Sequence, residues 1–244
     1  MKKILKILAM TLGVIVGILA LAWGGMFQTG KFAMSEFAPM ETGYVVDNIF
    51  VVKDDFANLF IIKDSTQYIV IDCGINPETI GEQMKRLGIS PNEVVTVLLT
   101  HTDGDHTGGL SLFSKAHLYM SKKEVRMING EKAKFLWFGN SLPRNDYILL
   151  EDRQIVRSGN VKIEGILVPG HTSGTMAYLI NDKYLFSGDI VSLKDGKIAP
   201  IPSIFNMDTK QAIKSMEIIR HIPAAAYLFT SHWGYTDDYH TAVD

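Results

Sequence analysis

The stretch that most restricts this chain is Thr100-His101-Thr102-Asp103-Gly104-Asp105-His106-Thr107-Gly108-Gly109. It follows residues 94–99, an apolar run that reads as a buried strand. Within six positions it sets His101, Asp103, Asp105 and His106. Imidazole and carboxylate are the groups that hold divalent cations where no thiolate is at hand. Their close spacing in a tight loop presents several of them on one side of a turn. Gly104, Gly108 and Gly109 are expected to let backbone pass close to an ion. A polar surface loop with a helix-capping Asp would account for any one of these residues, but not for the set.

Three more apolar runs end in the same way. Residues 161–168 lead into Pro169-Gly170-His171-Thr172-Ser173-Gly174, residues 184–186 into Ser187-Gly188-Asp189, and residues 227–229 into Thr230-Ser231-His232-Trp233. Four of the seven histidines lie in these loops. His117, His221 and His240 fall outside them and are expected not to be ligands. A fifth run, residues 68–71, ends in Asp72-Cys73-Gly74, which by itself reads as a strand-end turn. Cys73 is the one cysteine, so it has no partner for an internal disulfide, and it reads as a small core residue.

The runs between the loops set the fold class. Residues 49–52, 59–62 and 68–71 are short, β-branched and separated by polar turns. Asn76 can cap a following helix, Pro77 suits its first position, and Ile80, Met84 and Leu87 keep helical spacing up to Gly88. After the strands at 161–168, 176–180 and 184–186, Ala212, Met216 and Ile219 mark a second helix, stopped by Pro223. Two blocks of strands plus helix predict an α/β fold with two sheets and helices outside them. Residues 121–145 are the least regular part, read as one helix and a mobile loop. Phe135, Leu136, Trp137 and Phe138 in that stretch read as core packing, or as the lining of an apolar pocket.

The N-terminus is different in kind. Residues 7–27 carry no charge, and Lys2, Lys3 and Lys6 precede them. About 20 apolar residues suffice to cross a bilayer core of ~30 Å, and the lysines are expected to stay on the cytoplasmic side. Residues 1–27 are therefore read as a signal-anchor, or as a signal peptide using Ala20-Leu21-Ala22; 28–42 as a linker; and 43–244 as one catalytic domain. This places that domain outside the cytoplasmic membrane, tethered to it or secreted. Without the three leading lysines the chain holds 21 basic against 26 acidic residues, a poor balance for binding a nucleic acid. A small-molecule substrate is the expected partner.

Taken together, the loops resemble the signature of the metallo-β-lactamase fold superfamily, H-x-H-x-D-H followed by separate His, Asp and His, from about Gly43 onward. The resemblance implies a four-layer αββα sandwich holding two divalent metal ions, zinc foremost, with iron or manganese as alternatives. It assigns His101, Asp103 and His171 to one ion, Asp105, His106 and His232 to the other, and Asp189 to both, and it gives Asp72, in Asp72-Cys73-Gly74, a supporting role that orients a ligand by hydrogen bonding. It implies a hydrolase that directs a metal-bound hydroxide at a small ester, lactone, thioester or phosphodiester, with Asp105 passing a proton to the leaving group and Tyr235 a candidate for stabilising an oxyanion. The Asp at 189 places the likeness nearer the glyoxalase II and lactonase-like branches than the true β-lactamases, although the chain ends twelve residues after His232, short of glyoxalase II's helical extension. One departure stands out: Asp103 occupies a position where the family usually has His. That favours a harder ion or a mononuclear site, and keeps open an iron-dependent oxidoreductase or a non-catalytic metal-binding module. The oligomeric state is not legible.

Overall fold

A computed structural model describes the backbone of residues 2–134 and 139–244, with side chains from residue 11 onward. The chain forms two compact units, Met1–Phe37 and Ala38–Asp244. The first is helix α1 (Lys2–Met34). It runs past Phe27, where a linker is expected from residue 28. No proline interrupts residues 28–34, and Thr29 satisfies its hydroxyl within the helix, on the Gly25 carbonyl at 2.9 Å, so nothing there forces the helix to stop. Thr11–Met34 is long and apolar enough to cross a membrane, with Leu12, Leu19, Leu21 and Trp23 exposed along it.

The second unit is a sandwich of two sheets. The first sheet orders β1 (Gly43–Val46), β2 (Ile49–Asp54), β3 (Ala57–Asp64), β4 (Gln67–Ile71), β5 (Val94–Leu98), β6 (His117–Ser121) and β7 (Tyr147–Leu150) side by side. Strands β1 to β4 are antiparallel neighbours, and β4 to β7 are parallel. The second sheet contains β8 (Gln154–Ser158), β9 (Val161–Leu167), β10 (Met176–Ile180), β11 (Tyr184–Phe186), β14 (Tyr227–Phe229) and β15 (Tyr235–Thr236). Between β11 and β14 the chain makes a separate hairpin, β12 (Ser192–Lys194) with β13 (Lys197–Ala199).

Alternation along the strands divides the apolar side chains into three cores. In β3, Phe60 and Ile62 face the second sheet's Tyr178, Ile180, Phe186 and Phe229. Leu59 and Ile61 face the other way, onto Ile80 and Met84 of α2 (Pro77–Arg86). On the far side of the second sheet, Ile166, Leu179, Leu185 and Leu228 pack on Ala212, Met216 and Ile219 of α5 (Thr209–Arg220) and on Tyr239 of α6 (Tyr239–Val243). The layers are therefore helix, sheet, sheet, helix, as the resemblance implies. Asn76 caps α2 as expected, accepting from Glu78 N at 2.9 Å, and Pro77 takes its first position.

Strand direction is what places the site. In the first sheet β4, β5 and β6 run parallel. In the second, β9 and β11 each lie antiparallel to β10, so they run the same way, and β14 is parallel to β11. The C-terminal ends of β9, β11 and β14 therefore fall at one end of that sheet, where His171, Asp189 and His232 follow them, just as Asp72 and His101 follow β4 and β5.

A candidate metal centre

The seven acidic and imidazole side chains that the resemblance assigns to metal meet at this edge, in two groups. One holds His101, Asp103 and His171; the other holds Asp105, His106, Asp189 and His232. In the first, His101 Nε2 and His171 Nε2 are 3.1 Å apart, and Asp103 Oδ2 lies 3.5 Å from the former and 3.2 Å from the latter. In the second, His106 Nε2 lies 3.6 Å from Asp105 Oδ2 and 3.5 Å from Asp189 Oδ1, and His232 Nε2 lies 3.5 Å from Asp105 Oδ2 and 3.1 Å from Asp189 Oδ2. Asp189 Oδ2 is also 3.5 Å from His171 Nε2, so this carboxylate of the second group reaches a member of the first.

These separations fit a divalent cation. With metal–N and metal–O bonds of ~2.0–2.2 Å in tetrahedral array, neighbouring ligand atoms stand about 3.3 Å apart. His106 Nε2 and Asp189 Oδ1 are buried and lack a hydrogen-bond partner, a costly arrangement unless something else satisfies them. The donors are two imidazoles and a carboxylate in one group, and two imidazoles and two carboxylates in the other, with no thiolate in either. Such a set suits zinc, and iron or manganese as well.

Hydrogen bonds behind the ligands fix how they point. Helix α3 (Gly104–Thr107) carries Asp105 and His106, with Asp103 just before it. His106 Nδ1 donates to Asp72 Oδ2 at 2.8 Å, leaving Nε2 with its lone pair toward the cluster. Asp72 also accepts from Thr100 N and from the Thr100 hydroxyl, each at 2.8 Å, while that hydroxyl meets His101 Nδ1 at 3.0 Å. One buried carboxylate thus aims two imidazoles. His232 Nδ1 donates to the Phe56 carbonyl at 2.7 Å. Asp72 holds φ at +60°, a left-handed turn conformation that Asp tolerates better than most residues. Replacing Asp72 with Ala is expected to weaken metal binding or activity about 10–100-fold, the usual range for such supporting groups; an unchanged metal affinity in a competitive chelator titration would refute this role.

Gly108 and Gly109 serve a different purpose from the expected approach to an ion. A Cβ on Gly108 would stand 2.0 Å from the Ile75 carbonyl oxygen, and one on Gly109 2.4 Å from that of Cys73, whereas nothing lies within 4 Å of a Cβ on Gly104. The two glycines let α3 press onto the turn after β4, where Gly109 N donates to Cys73 O at 2.9 Å. Cys73 is fully buried there, in a structural role.

Glu124 is the residue the sequence analysis missed. It follows β6, is fully buried, and links the two halves of the first group. Its Oε1 accepts from Thr102 N at 2.8 Å and the Thr102 hydroxyl at 2.7 Å; its Oε2 accepts from the Thr172 hydroxyl at 2.7 Å and Gly174 N at 3.0 Å. The available signal was the strand-end rule itself: Leu118-Tyr119-Met120 is an apolar run, and Glu124 lies just past its end. Lys134 is the second such residue. Its ammonium contacts Asp103 Oδ2 and lies 2.8 Å from His171 Nε2. Asn140 donates to the other Asp103 oxygen at 2.9 Å.

Other candidates have other contacts. Tyr235 stacks on Phe229 with ring centroids 5.4 Å apart. His221 bonds the Glu217 carbonyl, His240 packs on Tyr239, and His117 opens β6, all outside both groups. The segment from Phe135 to Phe138, considered as pocket lining, lies outside the described residues.

Without metal, the groups hold one another as ion pairs. Burial disfavours a charged His106, but Asp72, Asp189 and Asp105 outweigh it and raise its pKa well above the ordinary 6.5. His232 is raised too, Asp189 overcoming its burial. Burial likewise opposes ionisation of Asp189, yet His232, His106 and His171 hold it well below 3.8; Asp103 is held down by His101, His171 and Lys134. Burial, aided by the charges of Lys134 and His101, lowers His171 to about 4, so its ring is neutral at pH 7.

The sign of the pH dependence follows. The raised histidines stabilise the metal-free fold below their ordinary 6.5, and that contribution is lost as pH rises through their folded values. The lowered Asp residues stabilise it above 3.8, and theirs is lost on acidification below that. His171, lowered to about 4, works the other way below 6.5, but two raised histidines stand against it, so chelated protein is expected to be less stable at pH 9 than at pH 6. Metal uptake should release protons and tighten with rising pH. Thermal melts across pH and calorimetric titrations in buffers of different ionisation enthalpy measure the two effects; proton-neutral uptake at pH 7 would contradict the assignment.

A model of the metallo-beta-lactamase superfamily matches residues 52–232, nearly the whole sandwich. The chain belongs to this superfamily. Within it, the chain is 31% identical over 137 residues to the probable polyketide biosynthesis zinc-dependent hydrolase PksB of Bacillus subtilis, covering 54% of each chain. It is 23% identical over 178 residues to the acyl-coenzyme A thioesterase MBLAC2 of Homo sapiens, covering 59% of this chain and 64% of that one. The chain thus spans between half and two thirds of the length of these relatives. Among solved structures, a metallo-beta-lactamase family protein from Thermus thermophilus superposes with a TM-score of 0.64 at 15% identity, covering 82% of this chain and 78% of that one.

Proposed function

We propose that the protein binds two divalent metal ions, zinc foremost, and hydrolyses a small acyl or phosphoryl substrate: an ester, lactone, thioester or phosphodiester. The observation that carries this reading is the gathering of the seven side chains in two adjacent groups, with Asp189 Oδ2 3.1 Å from His232 Nε2 in its own group and 3.5 Å from His171 Nε2 in the other. His101, Asp103 and His171 would hold one ion, Asp105, His106 and His232 the other. Bound ions would supply a water of lowered pKa and polarise the substrate oxygen.

The residues contribute the rest. Asp72 and Thr100 keep His106 and His101 in the tautomer that offers Nε2 inward. Asp105 is about one quarter exposed, whereas His106 and His232 are buried, so its carboxylate is the one placed to exchange a proton with an incoming substrate's leaving group. The acyl thioester ranks first among the substrates because of the likeness to an acyl-coenzyme A thioesterase. We further propose that α1 anchors the hydrolase in the cytoplasmic membrane with the sandwich on the outer side, Lys2, Lys3 and Lys6 remaining inside.

The test is a panel of esters, lactones, thioesters and phosphodiesters, assayed with the full chain in detergent. At least one class should turn over, stop with chelator and resume when zinc is returned. Turnover indifferent to chelation would reject the proposal.

A further inference from the structure

The first group already contains a cation of the chain's own. The Lys134 ammonium contacts Asp103 Oδ2 and stands 2.8 Å from His171 Nε2, the two atoms with which Asp103 and His171 would grip an ion. Asp105, His106 and Asp189 pair with imidazoles and carboxylates, and with no lysine or arginine among the described residues. The lysine sits at the position where a carboxylate replaces the family's usual imidazole. A neutral imidazole needs no countercharge, whereas a largely buried carboxylate does.

We propose that Lys134 is a built-in competitor for the first metal position, so that the ions enter in order: first the group of Asp105, His106, Asp189 and His232, then the group of His101, Asp103 and His171 on displacement of the lysine. The same atom pair cannot serve the ammonium and a metal together. The Lys134 side chain is about one quarter exposed, which gives it a route outward when it is displaced. At low metal supply the protein would hold one ion, with the ammonium standing in for the second positive charge beside it. This inference rests on reading the seven residues as ligands.

The experiment is a titration of the metal-free full chain, in detergent, with Co2+ and with Zn2+, read by Co2+ absorption bands and by metal content after gel filtration. The wild-type protein should take up one equivalent tightly and a second about tenfold or more weakly, the scale of a competing ion pair. Lys134→Met keeps the aliphatic stem and removes the charge, and it should close that gap by strengthening the second step; Lys134→Arg should preserve it. Binding of the first equivalent reports that each variant is folded, since that group does not touch Lys134. Two equivalents of equal affinity in the wild type, or a gap that survives Lys134→Met, would overturn the ordering while leaving the ligand assignment standing. No metal uptake by the wild type would sink the ligand assignment itself.

Discussion

Asp189→Ala is expected to lower hydrolysis about 10²–10³-fold, the scale of removing a preorganised charged group from a reaction centre. The reason is its position. Its Oδ2 is 3.1 Å from His232 Nε2 and 3.5 Å from His171 Nε2, and its Oδ1 is 3.5 Å from His106 Nε2. Among the described residues, no other carboxylate is paired with members of both groups. Its loss takes a ligand from each proposed ion and leaves two cations with no shared negative charge between them. Metal content should fall from about two equivalents toward one or none in the same preparation. Asp189→Asn separates charge from shape: one oxygen remains, so metal retention should exceed that of the alanine variant, while activity remains low. A variant that keeps both full metal content and wild-type turnover would show that the carboxylate bridges nothing.

Removal of Glu124 is expected to cost the most stability. In Glu124→Gln one amide nitrogen must face a backbone N–H, either that of Thr102 or that of Gly174, and the fold cannot turn either away. One buried donor left unsatisfied costs about 1–3 kcal/mol. Glu124→Ala strands both, for about twice that, reduced by whatever water enters. Burial raises the pKa of Glu124, so the native carboxylate is itself held at a desolvation cost that the four donors offset. Denaturant melts of the chelated protein measure the effect. The metal affinity of the first group should fall as well, because Thr102 and Thr172 adjoin three of its members. Loss of stability with unchanged metal affinity would assign Glu124 to folding alone.

What the sequence made legible depended on where burial comes from. His101, His171, Asp189 and His232 could be read because each follows an apolar strand, and strand direction then carries them to one edge. Glu124 could not be read so easily. Its neighbours Lys122 and Lys123 make the segment look like a charged surface turn, and only packing against the His171 loop buries it. Lys134 lies in the irregular stretch, where no period marks an inward side. The edge strands β7 and β8 escaped notice because Ile148, Leu149 and Ile155 are exposed, so alternation there does not follow the core. The end of α1 was set too early because residues 28–34 are merely less apolar, and low apolarity does not by itself terminate a helix.

The division of labour between the two sheets has one more consequence. The first sheet contributes His101, Asp103, Asp105 and His106, the second His171, Asp189 and His232. At that edge the sheets are joined by Met176 N donating to the Thr100 carbonyl at 2.8 Å, and by Glu124 reaching Gly174 N. A filled centre would add a clasp across the seam of the sandwich. Ligand binding adds about 2.7 kcal/mol of stability at a free concentration of 100 times the dissociation constant. Stripping the ions should thus loosen the seam first, and the protein's resistance to proteolysis would then depend on metal supply.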